Sequence, residues 1–470
     1  MTLEEIFKLA PDEAYKKLQE KEESEVSSEE IANQYDPNKH DVMDAVKRPM
    51  KTVKKPSGKD AKGEVTYTDK LEEVNRIAIP LQKLIVERAV GFLLGNPVWI
   101  QAGTQDAKAK ELLAMVEQLW DDNKLDSVNR EIARTLFSEC EVAELWFQVI
   151  DEEYWDKPNI KIRPKIKVLK PSEGNKLFPY YDEFGDMVAF SREYTIKRDS
   201  KSVTKMDTYT KDTIYHFEKN DSGVVLTNEK NLAGKIPIIY YTQPYPEWYL
   251  VQTMIDRLES LISNFGDTND YFGSPMIAIT GKVNGFAEKG QQGKMITIGE
   301  NGKAEYLSWD HAPESVKLEI ETLKELIHTC TQTPDISFAQ MKGLGNLSGI
   351  ALKLMFLDAH LKVENKVELF GEMFQRRLNL MKAMCGNMVD ISYKDTEKIL
   401  RLKPVFKAYL PRNEKEEMEM LMTGTGGKAV MSQETAVENN PLVNDTEAEM
   451  GRLKKDTGLQ NTANAFEPTI

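Results

Sequence analysis

Cysteine is nearly absent from this chain of 470 residues: Cys140, Cys330 and Cys385 lie far apart and form no CxxC. An odd, scattered set builds no closed disulfide framework, and a reducing compartment is the simplest reading. Five histidines (His40, His216, His311, His328, His360) show no HxxxH or HExxH spacing, so no metal-ligand cluster is expected. No stretch reaches about 18 consecutive apolar residues, so no membrane-spanning helix is expected. The chain opens Met1-Thr2-Leu3-Glu4-Glu5, acidic where a signal peptide would be basic. Positive charge is also short, 62 Lys+Arg against 76 Asp+Glu, for a net charge of −14. That balance argues against a monomer that coats nucleic acid, but not against a protein through which DNA slides without sticking.

What is present suits real cores: 40% hydrophobic and 9% aromatic residues, in a chain long enough for two or more domains. Residues 1–40 are helix-prone and acidic, with 11 Asp/Glu against 5 Lys. Residues 47–63 reverse this. Lys47, Arg48, Lys51, Lys54, Lys55, Lys59 and Lys62 stand against Asp60 alone, and with Pro49, Pro56, Gly58 and Gly63 the segment reads as a flexible basic loop. From Leu71 the spacing predicts helix, with a kink or a fresh start at Pro80 and a stop at Gly95-Asn96-Pro97. Two more helical stretches follow, to about Leu136. The period then falls to 2, and residues 141–241 read as a mostly antiparallel meander.

After Pro244 and Pro246 a long helix is expected, with Val251, Met254, Ile255, Leu258, Leu261, Ile262 and Phe265 as its apolar stripe and Asp256, Glu259 and Asp267 on its other face. Short strands between glycines fill 276–308. A second helix starts after Pro313, so an antiparallel helix pair is expected to carry a small β-module at its tip. Pro334 ends that helix, and Gly343-Leu-Gly-Asn-Leu-Ser-Gly349 precedes the longest helical pattern, Ile350 to about Met384. Residues 390–410 read as strand and 412–470 as an acidic helical tail.

Chemistry-bearing motifs fail one by one. The Gly343–Gly349 run follows a helix rather than a strand and lacks GxGxxG spacing, so helix capping by Asn346 or Ser348 accounts for it better. Gly424-Thr-Gly-Gly-Lys428 resembles a Walker A tail, but Met422 stands where the first glycine belongs and Ala429 where Ser or Thr would bind magnesium. No nucleophile–base set emerges from spacing. No catalytic residue, cofactor or metal is expected.

The order of parts is more informative. Asn75-Arg76-Ile77 through Gly95-Asn96-Pro97, Leu177-Phe-Pro-Tyr-Tyr-Asp182 with Ala189-Phe-Ser-Arg-Glu-Tyr194, and Thr333-Pro-Asp-Ile-Ser337 with Ser348-Gly-Ile-Ala-Leu-Lys353 follow one another at characteristic spacing. In this the chain resembles the portal proteins of tailed double-stranded-DNA bacteriophages, of the siphophage type, over residues 70 to 410. The resemblance implies an α+β portal fold assembled as a ring: an α/β wing, a two-helix stem, a small β-containing clip, a long wing helix and a helical crown. The implied boundaries are 1–63 for an N-terminal arm and basic loop, 64–244 wing, 245–272 first stem helix, 273–308 clip, 309–333 second stem helix, 334–348 tunnel loop, 349–411 long wing helix and strands, and 412–470 crown and tail.

Such a protein would form a cyclic homo-oligomer of about twelve subunits at one capsid vertex. DNA would be packaged and ejected through it without sequence specificity. It would be made in the host cytoplasm and reside in the virion, without a membrane or ATP hydrolysis of its own. The partners implied are the terminase large subunit, a head–tail connector or adaptor, and the major capsid and scaffolding proteins. Three residue sets follow. Lys342, Gly343, Gly345 and Asn346 would face the DNA tunnel. Lys282, Lys289, Lys294 and Lys303 would serve clip docking. Val251, Leu258, Ile262 and Phe265 would pack stems between subunits. The rival readings are a nucleotide-dependent enzyme using the glycine-rich loops and a non-viral acidic helical scaffold.

Overall fold

A computed structural model describes the chain apart from residues 1, 22–25, 60–64, 104–105, 156–159, 199–200, 221–222, 273–275, 281–282, 286–296, 299–302, 308–311, 338–350, 352–353, 410–413, 427–428, 441, 444–448 and 456–470. The fold is α+β and divides into two compact units, Met1–Thr333 with Lys362–Ala408, and Pro334–Leu361 with Tyr409–Ile470.

The first unit begins with α1 (Leu3–Ile6), α2 (Pro11–Lys17) and α3 (Ser28–Tyr35). Thr2 and Glu5 form a capping box on α1, and Ser27 caps α3. Ile6, Ala14, Tyr15 and Leu18 bury themselves against Met206 and Phe217. The segment expected to be a flexible basic loop is instead an antiparallel hairpin, β1 (Lys51–Lys59) with β2 (Val65–Glu72). Thr52-Val53 and Val65-Thr66-Tyr67-Thr68 supply β-branched and aromatic residues, and the register sets Lys54 opposite Asp69 and Lys51 opposite Glu72. The lysine count obscured that pattern.

The helical expectation from Leu71 is also corrected. Residues 73–80 are not helical, and α4 (Leu81–Leu94) starts afresh with Pro80 as its N-cap. After β3 (Trp99–Ala102) come α5 (Ala107–Asp122) and α6 (Leu125–Glu139), both on apolar stripes. Then β4 (Glu141–Ile150) and β5 (Ile162–Leu169) lead into a meander of β6 (Lys176–Tyr181), β7 (Met187–Arg198), β8 (Lys201–Thr210), β9 (Thr213–Asn220) and β10 (Gly223–Lys230). β11 (Ile238–Thr242) returns beside β4, giving a three-stranded sheet β11-β4-β5 and a five-stranded sheet β10-β9-β8-β7-β6. Ala143, Leu145, Leu169, Ile238 and Tyr240 of the first sheet share one core with Leu177, Phe190 and Tyr209 of the second.

α7 (Gln252–Phe272) and α8 (Ala312–Cys330) form the expected helix pair. Between them β12 (Met276–Thr280) pairs with β15 (Lys303–Leu307), and β13 (Val283–Gly285) pairs with β14 (Thr297–Ile298). α9 (Leu357–Met384) buries Phe370, Phe374, Leu378 and Met381, then widens into a π-helical turn over Cys385–Val389. Residues 390–410 are less strand-like than expected. Asp390 caps a turn over Ile391–Tyr393, α10 (Thr396–Ile399) follows, and only β16 (Leu402–Val405) pairs, with β3.

In the second unit, α11 (Glu414–Thr425) and α12 (Gln433–Glu438) are helices within the stretch 412–470 expected to be helical, of which 456–470 lie outside the described residues. Gly424 and Gly426 close α11. A Cβ on Gly424 would meet Met431 Cε at 2.8 Å, so Gly424 packs closely against that side chain.

Candidate functional site

The helix pair is held at its root by three polar clusters, none of which composition alone revealed. The first lies on the face of α7 opposite its apolar stripe. Asn75 N–H donates to Asp267 Oδ1 at 2.6 Å, Ile77 N–H to Ser263 Oγ at 2.9 Å and Ile79 N–H to Glu259 Oε1 at 2.7 Å. Two residues of extended chain advance about 6.6 Å and four residues of helix about 6 Å. Alternate amides of 75–79 therefore meet every fourth side chain of α7, running antiparallel. Arg48 Nη2 and Lys51 Nζ both reach Asp267 Oδ2 at 2.8 Å. Burial pushes the Asp267 carboxyl up, but Lys51, the Asn75 amide and Arg48 hold it below the usual carboxylate range. Gly266 lets Asn75 approach, since a Cβ there would lie 3.3 Å from its side chain.

The second cluster adds the N-terminal arm. His40 Nδ1 lies 2.7 Å from Glu259 Oε1 and Nε2 lies 2.9 Å from the Gln34 carbonyl. With a carboxylate and a carbonyl as partners, both ring nitrogens have an acceptor within reach, an arrangement that favours the protonated ring. Burial alone would lower its pKa; the hydrogen bond to Glu259 and the charges of Glu259 and Asp256 raise it above the ordinary value.

The third cluster lies wholly within the first unit. Glu247, just before α7, is buried and accepts from Lys362 Nζ at 2.6 Å and from Lys366. Lys362 Nζ also donates to the Thr331 carbonyl at 2.8 Å, just past the end of α8. Burial would raise the Glu247 carboxyl, but the two ammonium groups hold it below its usual range. Deeper in the first unit, fully buried Arg377 donates through Nε to both oxygens of Glu144 at 2.9 Å and through Nη2 to Tyr241 Oη at 3.2 Å.

The residues singled out from sequence fall unevenly. Val251 and Leu258 are fully buried within the chain, while Ile262 and Phe265 are half-buried and retain surface on α7. Lys303 is exposed at the start of β15. Lys282, Lys289, Lys294, Lys342, Gly343, Gly345 and Asn346 lie outside the described residues. Glu259, Ser263, Asp267, His40, Glu247, Lys362 and Lys366 were missed. The available signals were the four-residue spacing of Glu259-Ser263-Asp267 and of Lys362-Lys366 on helices that also carry apolar stripes. Among the described residues no group of three or more His, Cys, Asp or Glu could hold a metal ion, and no helix is long and apolar enough to cross a membrane.

The family model described as phage portal protein, SPP1 Gp6-like, matches residues 15–462. The portal protein of Bacillus phage SPP1 is 23% identical over 432 residues, covering 84% of this chain and 79% of that protein. Among solved structures, the neck of a native gene transfer agent (GTA) particle computed with C12 symmetry aligns with a TM-score of 0.39 at 11% identity, over 77% of this chain and 88% of that one. The virion of a native GTA particle aligns with a TM-score of 0.39 at 10% identity, over 76% and 87%.

Proposed function

This chain belongs to the phage portal protein family, SPP1 Gp6-like, and from that premise we propose that it is the subunit of a closed ring of about twelve copies, with the terminase motor and a head–tail connector docking on it in turn. Portal proteins occupy the capsid vertex of the virion and pass DNA during packaging and ejection. The observation that carries this reading is the family match across 15–462, over a chain whose helix pair bears a β-module between its members. Native mass tests it: a ring mass supports it, and a monomer or dimer at working concentration overturns it.

The finer assignments rest on the same premise. The helix pair is the stem, and residues 273–308 are the clip that meets the terminase large subunit and afterwards the connector. Lys282, Lys289, Lys294 and Lys303 line that docking face. Deleting 282–296 is expected to leave rings and abolish connector binding. Residues 334–348 are the tunnel loop, where Lys342, beside Gly343, Gly345 and Asn346, touches passing phosphates weakly because an exposed contact is screened by salt within about 10 Å. DNA carries one charge per roughly 1.7 Å of axis, so a net acidic wall with one cation per subunit slows DNA without locking it. Lys342→Ala is expected to alter packaging efficiency or genome retention with ring assembly intact. Normal packaging and retention by that variant leaves the loop acting by shape alone.

A further inference from the structure

Strand β11 has a neighbour on one side only. In the order β11-β4-β5 it pairs with β4 alone. Trp146 N–H donates to the Pro237 carbonyl and Gln243 N–H to the Cys140 carbonyl, both at 2.9 Å. In an antiparallel pair such bonds fall on every second residue, so Pro237, Ile239, Tyr241 and Gln243 face β4. Ile238, Tyr240 and Thr242 therefore turn their N–H and C=O groups the other way, where no backbone group among the described residues bonds them. Short edge strands are commonly left open to water. Here Ile238 and Tyr240 are only 1% and 6% exposed, so water reaches their peptide groups poorly. A peptide group that is buried and unpaired costs about as much as a lost hydrogen bond.

The same edge borders a cleft of about 800 Å³. Ile238 and Ile239 both line it, although successive side chains leave a strand on opposite faces, so the cleft runs along the edge itself. Ile238 shares its core with Phe190 and Tyr209, while Tyr241, on the face of Ile239, bonds Arg377 of α9. Accordingly one wall is Met187 and Val188 of β7 and the other is Asn379 and Leu380 of α9. The charged lining residues are Lys211, Lys235 and Arg376 against Asp212 alone, in a chain of net charge −14. Glu372 takes Arg376 at 2.7 Å, whereas Lys211 and Lys235 are exposed and have no ion-pair partner among the described residues. Asn231 Nδ2 bonds the carbonyls of both Thr210 and Lys235 at 2.8 Å, which sets these two lysines at one end of the cleft. We propose that β11 accepts an added strand: an extended segment of a partner protein, apolar on alternate residues and carrying a carboxylate where it passes Lys211 and Lys235. Main-chain bonds to Ile238, Tyr240 and Thr242 supply affinity, and the two apolar walls read alternate side chains. The five residues of β11 span roughly 17 Å, so the added strand is short. This inference goes beyond the ring reading and does not depend on it.

The probe is a fluorescein-labelled peptide of alternating valine and threonine between terminal aspartates, titrated against the full chain by fluorescence anisotropy. Saturable binding of one peptide per subunit is expected, with slowed amide exchange at Ile238 and Tyr240 and none at Ile239 and Tyr241, which β4 already protects. Lys211→Glu/Lys235→Glu is expected to weaken binding about tenfold, and a peptide with terminal lysines equally. Val188→Trp fills the cleft and is expected to abolish binding with the thermal transition retained. The same peptide N-methylated throughout keeps its side chains, loses its main-chain donors, and is expected not to bind. No saturable binding to the wild-type chain overturns the proposal. Equal binding of the N-methylated peptide overturns strand addition, and protection that appears away from β11 overturns the site. Ile238 and Tyr240 amides that are slow in assembled chains without peptide, and fast in separated ones, overturn the partner protein in favour of a second copy of this chain. If Val188→Trp unfolds, the lysine variant and the N-methylated peptide still decide.

Discussion

Arg377 sits with no exposed surface against Glu144, Tyr241 and Asn129 and over the Phe374 ring, so its charge is compensated inside the protein. Removing one member of a buried pair leaves an uncompensated charge, at a cost of about 3–5 kcal/mol. Arg377→Met is therefore expected to lower the unfolding free energy by that order in denaturant titration, and Glu144→Leu/Arg377→Met to recover much of it. A single variant as stable as wild type would contradict the assignment. His40 carries the opposite kind of information. Its pKa is raised in the folded state, so its contribution is complete below the ordinary value of 6.5 and is lost as pH rises through the higher folded value. The thermal midpoint of wild type is expected to fall over that window, facing Glu259 and Asp256. His40→Gln is expected to remove the slope, and a wild-type profile without the slope argues against the buried cation.

At the level of elements, the ladder between residues 75–79 and α7 fixes where the N-terminal arm meets the helix pair. Asp267→Ala strips partners from Arg48, Lys51 and the Asn75 amide. Hydrogen bonds to a charged group contribute about 1.5–3 kcal/mol each, partly offset here by solvent at the exposed lysine. The expected result is a loss of about 2–3 kcal/mol, with amide exchange accelerating first at Asn75 and Ile77; unchanged protection there would remove the ladder's role. This element also marks what the sequence could reveal. α5 to α9 and the meander were legible because each buries a stripe of its own period. The ladder was not, because Glu259, Ser263 and Asp267 look like a solvated face until partners 180 to 192 residues away are in place. The β1–β2 hairpin was hidden by its lysines, and the start of α4 by apolar residues before Pro80 that follow helical spacing without forming a helix.

For the whole molecule, burial redirects the assembly test. Leu258 and Val251 already fill the subunit's interior, so Leu258→Asp is expected to unfold the chain rather than release it from neighbours. Ile262→Glu/Phe265→Ser alters side chains that keep surface on α7, and is expected to reduce ring mass with the thermal transition retained. Intact rings from that variant would place stem packing elsewhere.

The partnership of β3 with β16 carries a consequence for synthesis. Asn96, just ahead of β3, bonds the carbonyl of Ala408, 312 residues later. At about 5–20 residues per second, a ribosome needs on the order of 15–60 s between these two points. Until β16 emerges the nascent chain has an open strand edge at β3, and for part of that time Glu144 waits for Arg377, 233 residues further on. A chain cut short before β16 never closes that edge. The late strand acts as a check on completeness: chains ending after Ile399, co-expressed with full-length subunits, are expected to be absent from purified rings.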